Sequence, residues 1–367
     1  MRFVVDSGKV KIKQFRPSLN LDSLLVKPIS RSAAIQRKGR AGREASGQCY
    51  RLYTEADYLK LKPNTTPEIL RCDLSAAVLG MKARGVDDVL GFPFLDPPPV
   101  EALQKALLLL WQLGALTETG AISEVGTQIA KLPLTPTLGR VLVEAARPER
   151  DCLDEVVDII ACLSVENVFL NLVSEEKKEE AEAARRELYK REGDHLTLLA
   201  TVQAYAAERS DRKAWAEKHF VSHRAMQSVM VSDLSASASC PSMYCSDLRC
   251  LQDIRKQLHA QCKLMRPQTG STADDSAARS NSNLSESRKN NVLQCLLRGF
   301  SANVARLMAD GSYKTLANHT VAIHPSSVLF GKKVEAVVFS EFVFTSRSYA
   351  RGVSAVRMDW VGEVIGR

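Results

Sequence analysis

The sequence predicts a multidomain protein that combines an α/β part, an all-α part and an all-β part. Strand-like runs occupy the start, apolar residues at helical spacing fill the middle, and short strand-like runs punctuated by turns occupy the end. The chain has 367 residues, which is more than one hydrophobic core usually organises. Several compact units are therefore expected.

Composition narrows the class of protein. Hydrophobic residues make up 45% and charged residues 25%, as in soluble globular proteins, and Lys plus Arg exceed Asp plus Glu by 50 to 42, which favours a polyanionic partner. The nine cysteines lack the close-pair spacing of tetrahedral zinc sites, so no metal site is predicted and reduced thiols are expected. The longest apolar run, 106–111, is too short to cross a bilayer, so we expect a soluble intracellular protein without a membrane partner.

The first strand-like runs predict a projecting hairpin. Residues 3–5 and 11–15 have strand character and are separated by the turn pair Ser7 and Gly8. Residues 24–26 can pair back on the second run after a polar stretch.

Three short helices are predicted next, in an arrangement typical of a winged-helix-like module. The first covers 67–84 and is stopped by Gly85, the second follows the proline run at 97–99, and the third covers about 123–131. The second helix has an apolar face formed by Leu103, Ala106, Leu107, Leu110 and Trp111.

A helical bundle and a small barrel complete the pattern. Helical spacing continues at 138–146, 153–163, 175–191 and 195–209, with Gly193 breaking the last two apart. Residues 269–289 are rich in Ser, Asn and Asp and predict a flexible surface segment at a domain boundary. Five strand-like runs follow, at 302–308, 313–316, 320–323, 334–344 and 353–359.

The segment 36–43, Gln-Arg-Lys-Gly-Arg-Ala-Gly-Arg, carries the strongest chemical signal. It places four cations and two glycines within eight residues, so the backbone can approach a ligand closely and arginine forks can contact phosphate oxygens. Gln36 could orient an attacking water. The alternative interpretation of such a segment is a solvated basic loop or a localisation signal.

This segment resembles motif VI of the DEAH-box helicases, Gln-Arg-X-Gly-Arg-Ala-Gly-Arg, at every fixed position. Similar stretches before the bundle are Val-Val-Asp-Ser-Gly at 4–8, Pro-Ile-Ser at 28–30, Cys-Tyr-Arg-Leu-Tyr-Thr at 49–54, Pro-Glu-Ile at 67–69 and Phe-Leu-Asp-Pro-Pro at 94–98. Later ones are Leu-Gly-Ala-Leu at 113–116, Leu-Pro-Leu-Thr-Pro at 132–136, Gly-Asp-His-Leu at 193–196 and Ala-Ile-His-Pro-Ser-Ser at 322–327. The resemblance covers nearly the whole chain.

The resemblance implies five segments. They are the C-terminal part of a second RecA-like domain at 1–73, a winged helix at 74–136, a ratchet-like helical bundle at 137–266 with an insertion at about 231–251, a flexible linker at 267–290 and an OB-fold at 291–367. The insertion is interpreted as either a surface loop or translated intron sequence.

The resemblance also implies an activity: the C-terminal region of an ATP-dependent 3′-to-5′ RNA helicase that couples NTP hydrolysis to RNA translocation. ATP and Mg²⁺ would be held mainly by the first half of such an enzyme. The sequence is most similar to the nucleolar branch that processes ribosomal RNA precursors, so RNA, a nuclear and nucleolar location, a monomer and a glycine-patch activator at the OB-fold are expected.

Site residues are carried over from the family by motif. Arg40 and Arg43 would be arginine fingers, Gln36 would act near the terminal phosphate, and Gly39 would join them in contacting ATP. Arg37 is the weaker candidate of the motif.

Six residues are candidates for RNA contact. They are Lys13 and Arg16 in the hairpin, His195 at the start of the ratchet helix, and Ser326, Ser327 and Lys332 in the barrel. The alternatives are an ordinary surface hairpin for the first pair and a purely structural turn for the last three.

The sequence departs from the family in one chemical respect. It contains no Gly-x-x-x-x-Gly-Lys-Ser/Thr loop and no Asp-Glu-Ala-His, which hold the phosphates and Mg²⁺. The chain alone is therefore expected not to hydrolyse ATP and to be part of a longer product. The alternative function is a catalytically inactive RNA- or protein-binding module.

Overall fold

A computed structural model describes residues 1–16, 21–165, 167–230, 284–344 and 347–365, with side chains omitted at 13–16, 21–24 and 365. The chain divides into two compact units, Met1–Leu108 and Leu109–Arg367. The predicted insertion at 231–251 and most of the predicted linker lie outside the described residues.

The first unit opens with two small sheets. Strand β1 (Phe3–Asp6) is followed by β2 (Lys9–Arg16) and β3 (Leu21–Pro28), which pair antiparallel from Lys9 with Pro28 to Arg16 with Leu21. Helix α1 (Arg31–Gly39) then leads to β4 (Gln48–Arg51), which runs parallel to β1. The predicted hairpin is confirmed, and a parallel pair with a helix between its strands is α/β topology.

The predicted helix at 67–84 is wrong in its first half. After α2 (Glu55–Lys60) the chain forms a 3₁₀ turn, Glu68–Leu70, and α3 spans only Ser75–Ala83. Arg71 leaves the helical region at φ −138°, and the carboxylate of Asp73 accepts hydrogen bonds from Ser75 at the new helix start. Gly85, at φ +86°, ends α3 as predicted.

The second predicted helix is confirmed, but its apolar face is narrower than predicted. Helix α4 spans Val100–Gln112 and buries Leu103, Ala106 and Leu110, whereas Trp111 is 46% exposed and Leu107 is half-buried. Trp111 follows Leu110 directly and is therefore turned by about 100° around the helix axis.

The winged-helix segment continues through a short β-bridge. Leu116 pairs antiparallel with Ile122 around a turn, and α5 (Glu124–Ala130) follows, with Ser123 accepting a hydrogen bond from the amide of Gly126 at 2.9 Å. The third predicted helix is confirmed.

Among the described residues, seven helices form the bundle. They are α6 (Pro136–Ala145), α7 (Leu153–Ser164), α8 (Glu175–Arg185), α9 (Asp194–Ala207), α10 (Arg212–Lys218), α11 (His223–Met230) and α12 (Glu286–Gly299). Helix α12 packs on α6 and α7, while α11 packs on α7 and α9. No helix among the described residues is long and apolar enough to span a bilayer.

The C-terminal end of the predicted linker at 267–290 is not a linker, because helix α12 already begins at Glu286. Ser285 caps the helix by accepting a hydrogen bond from the amide of Arg288 at 3.3 Å, and Val292, Leu293 and Leu296 are buried. The burial of this apolar face outweighs the polar composition of the first turn.

The chain ends in a closed five-stranded barrel. Its strands are β5 (Val304–Leu307), β6 (Tyr313–Thr315), β7 (Thr320–Ile323), β8 (Ala336–Phe344) and β9 (Ser348–Val356), in the order β5-β6-β7-β9-β8. β7 and β9 are parallel, and the other pairs are antiparallel. The predicted barrel is confirmed, but β9 begins at Ser348, since Ser348 already pairs with Phe344, and helix α13 (Met358–Ile365) was not predicted.

Candidate nucleotide and RNA sites

The basic motif lies on α1 and on the 3₁₀ turn Arg40–Gly42 that follows it. The hydroxyl of Ser30 caps α1 by accepting a hydrogen bond from the amide of Ala33 at 3.1 Å. Ala34 and Ala41 are buried, so the inner side of the segment is packed at these two positions.

The outer side of the motif carries the predicted catalytic residues. Gln36, Arg40 and Arg43 are exposed and follow one another at i, i+4 and i+7, which places them along one side of a helical segment. Helical backbone continues past α1, because Arg40 and Arg43 have φ values of −69° and −80°. The structure thus brings these three predicted residues together on one exposed face.

Arg37, the weaker candidate, is turned the other way. Its guanidinium donates a 2.6 Å hydrogen bond to the carboxylate of Asp6 at the end of β1, and a 3.0 Å bond to the carbonyl of Lys9. Asp6 also accepts hydrogen bonds from the amide of Gly8 at 3.0 Å and from the hydroxyl of Tyr53 at 2.9 Å. Arg37 therefore fixes α1 to β1 and is engaged within the protein.

The protonation state of Asp6 follows from these contacts. Burial alone would raise the pKa of this carboxyl, but the hydrogen bonds from Gly8, Arg37 and Tyr53 outweigh burial and hold the pKa below its ordinary value. Asp6 is thus a charged partner for Arg37.

A shallow depression lies beside the exposed face. It is lined by Met1, Val4, Val5, Ser7, Arg37 and Arg40. Its lining includes no acidic residue, and Asp6 is already bonded on both carboxylate oxygens, so the residues of this depression do not fit Mg²⁺.

The glycines of the motif leave space and need no unusual backbone. Gly39 has φ −63°, and a side chain added at Gly39 or Gly42 would meet no atom within 4 Å. Gly47, outside the motif, is the constrained one: a Cβ there would collide with the carbonyl oxygens of Ala41 and Arg2. Gly47 carries no signal in the local sequence, because its constraint comes from tertiary packing.

The two hairpin candidates are placed by backbone alone. Lys13 pairs with Leu24 and Arg16 pairs with Leu21 in the β2–β3 register. The side chains of both candidates lie outside the described residues, so their RNA contact stays a prediction.

The barrel candidates lie in residues 324–333, which connect β7 to β8 and are called the barrel turn below. Ser326 is exposed, and its amide and hydroxyl lie 3.1 Å and 2.7 Å from Nδ1 of His324. Nδ1 accepts from the amide and is therefore unprotonated there. Burial and the nearby Arg351 lower the pKa of His324, so the ring is neutral at physiological pH.

Ser327 and Lys332 differ in accessibility. Lys332 is exposed, as its neighbour Lys333 is, and it remains a candidate for a phosphate contact. Ser327 is 7% exposed, its hydroxyl accepts a hydrogen bond from the amide of Leu329 at 3.2 Å, and the same hydroxyl bonds to Asp194. The prediction that Ser327 contacts RNA is therefore corrected, since its hydroxyl is used inside the protein.

His195 also does not lie on an RNA-facing surface. Its side chain has no exposed area, its Nδ1 lies 2.8 Å from Oγ of Ser354 on β9, and burial lowers its pKa to about 4. The predicted RNA contact of His195 is wrong in this structure, because the ring is enclosed between α9 and β9.

Asp194 joins the bundle to the barrel. Its carboxylate accepts hydrogen bonds from the amides of Val328 at 2.9 Å and Val353 at 2.7 Å. Burial raises its pKa, against the effect of these bonds. The signal that could have found it is a carboxylate directly after Gly193, in the first turn of a helix, where negative charge is favoured.

Family comparisons match three consecutive parts of the chain. Residues 106–134 match the winged-helix part of the helicase associated domain (HA2), residues 135–198 match its ratchet-like part, and residues 292–367 match the oligonucleotide/oligosaccharide-binding (OB)-fold.

Individual relatives match almost the whole of this chain. The chain is 37% identical over its full length to a probable ATP-dependent RNA helicase, DHR2, of Saccharomyces cerevisiae, 36% identical over 99% to the pre-mRNA-splicing factor ATP-dependent RNA helicase prp22 of Schizosaccharomyces pombe, and 33% identical over 99% to the probable ATP-dependent RNA helicase DHX35 of Homo sapiens.

These matches show that the chain carries HA2 winged-helix, HA2 ratchet-like and OB-fold domains and that it has DEAH-box RNA helicase homologues at 33–37% identity. It spans 48%, 28% and 46% of those three relatives, respectively, and fits their C-terminal portion. The predicted winged helix, ratchet bundle and OB-fold are confirmed as folds. The partial RecA-like domain at 1–73 and the segment boundaries stay predictions.

Proposed function

We propose that this chain is the C-terminal region of an ATP-dependent RNA helicase and that it supplies Gln36, Arg40 and Arg43 to an ATP bound mainly by another RecA-like domain. The observation that carries the proposal is the exposed row of these three side chains along α1 and the 3₁₀ turn that follows it, with α1 fixed to β1 by the bond between Arg37 and Asp6.

The chemistry assigned to each residue follows from its charge and position. Arg40 and Arg43 would contact the phosphate oxygens and stabilise the charge that develops as the terminal phosphate is transferred to water. Gln36, one turn before Arg40, would orient the water through its amide. Because α1 is capped and packed on its inner side, these side chains need little reorganisation to meet a phosphate.

Mg²⁺ is not assigned to this chain, since the depression beside Arg40 has no acidic lining residue. In this proposal the metal would be held by the partner domain together with the phosphates, where it would neutralise charge on them. The residues of this chain then bind and orient from the opposite side.

The experiment is RNA-stimulated ATP hydrolysis by this chain, alone and fused to the N-terminal half of the Saccharomyces cerevisiae relative DHR2. We expect activity only in the fusion, and we expect Arg40→Ala and Arg43→Ala each to reduce kcat by about a thousandfold. Lys38→Ala is the matched control, because Lys38 is an exposed cation of the same helix outside the row and should leave kcat unchanged.

The outcomes separate the two function classes. Full activity of the Arg40 and Arg43 variants in the fusion would contradict the arginine-finger assignment. RNA binding by the chain with no activity in the fusion would favour an RNA- or protein-binding module instead.

RNA is the proposed polymer, and the exposed side chains of Ser326 and Lys332 in the barrel turn are the proposed contacts with its backbone.

The proposal has four finer parts. They are movement in the 3′-to-5′ direction, rRNA processing in the nucleolus, a monomeric state and a glycine-patch activator at the OB-fold. The relatives' names support a role in RNA metabolism, and one of them names splicing. Crosslinking of the chain to RNA in cells, followed by sequencing, would distinguish rRNA precursors from splicing substrates.

A further inference from the structure

The start of α9 is fixed to the barrel by three consecutive contacts. The carbonyl of Glu192 accepts a hydrogen bond from the amide of Ala355 at 2.8 Å, Gly193 forms a β-bridge with Ser354, and His195 meets the hydroxyl of Ser354. All three contacts involve β9. The first turn of α9 therefore lies against strand β9 of the barrel.

Asp194 reaches beyond β9 to the barrel turn. One carboxylate oxygen accepts from the amide of Val353 on β9, the other accepts from the amide of Val328, and the hydroxyl of Ser327 bonds to the same carboxylate. Two of its three partners thus belong to the barrel turn. Asp194 is half-buried and lies behind this turn, while Ser326 and Lys332 lie on its exposed side.

We infer that Asp194 is a positioning residue for RNA: it holds the barrel turn in the conformation that presents Ser326 and Lys332, and it ties that conformation to the position of α9. The inference rests on the proposed function, because it takes the barrel turn to be an RNA contact. A displacement of α9 then changes the grip of the barrel on the RNA backbone.

A carboxylate is required by the donors that surround it. Both amides and the hydroxyl can donate, and a carboxylate accepts on both oxygens. Asparagine has nearly the same shape but replaces one acceptor with an NH₂ group, which would face an N–H. Asp194→Asn therefore removes a bond to the barrel turn or to β9 without leaving a cavity.

The test is a double-mutant cycle on the full 367-residue chain, with a short fluorescein-labelled single-stranded RNA and fluorescence anisotropy over a series of KCl concentrations. We expect Lys332→Ala to weaken binding by about threefold to tenfold and to reduce the slope of log K against log salt by about 0.7. Asp194→Asn should act in the same direction, and the double variant should bind as tightly as the weaker single variant.

Ser354→Ala is the matched control for loss of stability. It removes the contact to His195 at the same junction and leaves the bonds of Asp194 intact, so it should lower the melting temperature without changing the salt slope. If Asp194→Asn fails to fold, Ser327→Ala takes its place in the cycle, because it removes only one of the three bonds.

Several outcomes overturn the inference, and they differ from failure of the proposed function. Additive effects of Asp194→Asn and Lys332→Ala would show that Asp194 does not act through the barrel turn. Tight RNA binding that Lys332→Ala leaves unchanged would remove the barrel turn as a contact and leave the RNA-helicase proposal standing. An unaltered chain that binds no RNA at any salt concentration would overturn both.

Discussion

The guanidinium of Arg37 donates a 2.6 Å hydrogen bond to the carboxylate of Asp6, 31 positions earlier in the chain. Asp6 is 1% exposed and ends β1, whereas Arg37 lies in the last turn of α1. The motif thus contains one arginine that faces inward and two, Arg40 and Arg43, that face outward. The same motif therefore attaches α1 to β1 through Arg37 and leaves Arg40 and Arg43 exposed.

Asp6→Asn should loosen α1 by about 1–3 kcal/mol, because it leaves Arg37 without its charged partner and mismatches one of the three donors around the carboxylate. Hydrogen-exchange mass spectrometry of peptides covering β1 and α1 would measure the local opening free energy. Lys38→Ala is the control and should leave exchange unchanged.

The pH dependence has a defined sign. The pKa of Asp6 in the folded chain is below its ordinary value of 3.8, so its stabilising contribution is complete above that value and is lost as the pH falls toward the folded pKa. Exchange in Asp6→Asn should therefore depend less on acid than in the unaltered chain. Equal acid dependence in both would contradict this account.

Gly193→Ala should destabilise the bundle–barrel junction by more than about 3 kcal/mol. Gly193 has φ +126°, and a Cβ there would lie 2.6 Å from Cα of Ser354 and also collide with the carbonyl oxygen of Val353. Gly311→Ala is the control for backbone strain without a collision, because Gly311 has φ +80° and no atom lies within 4 Å of an added Cβ. This variant should lose about 1 kcal/mol of unfolding free energy. Thermal unfolding of the two variants gives the comparison, and equal losses would rule out the collision.

Glu144→Gln should cost about 3 kcal/mol of unfolding free energy. Glu144 is fully buried in α6, and its carboxylate lies 3.0 Å from Arg140, 3.4 Å from Arg147 and 2.9 Å from Arg150. The variant leaves buried Arg140 without a charged partner. Glu341→Gln is the exposed control, since its 3.7 Å pair with Arg351 should contribute less than about 1 kcal/mol. Urea denaturation measures both, and similar losses would contradict the role assigned to burial.

His195→Gln should reduce the loss of unfolding free energy that occurs as the pH falls below the ordinary histidine pKa of 6.5. Burial lowers the pKa of His195 from 6.5 to about 4, so the unfolded chain binds a proton that the folded chain does not. Stability is therefore present above the ordinary pKa and is lost as the pH falls, by about 3 kcal/mol on reaching the folded pKa. Urea denaturation above and below pH 6.5 tests this, with exposed His319→Gln as control. An unchanged profile in His195→Gln would refute the assignment.

Local pattern was sufficient for elements whose signals are local. Gly85 and Ser123 mark helix ends by backbone and capping chemistry, and the alternation in the last third of the chain predicted five strands. It failed where a single side chain interrupts a period, as Asp73 does within the predicted first helix, and where a polar first turn precedes an apolar face, as in α12.

The candidate site was predictable in part for a related reason. The resemblance to the family motif named Gln36, Arg40 and Arg43, and the structure places them on one exposed face, but a motif does not report burial. His195 and Ser327 were therefore predicted as RNA contacts although the fold encloses one and bonds the other to Asp194. Their burial arises from partners more than a hundred positions away, which no local pattern contains.

Helices α11 and α12 both pack on α7. The last residue of α11, Met230, and the first residue of α12, Glu286, therefore belong to helices that are held by the same neighbour. Substitutions that weaken the packing of α7 should therefore loosen both helices together, although the two are far apart in the sequence.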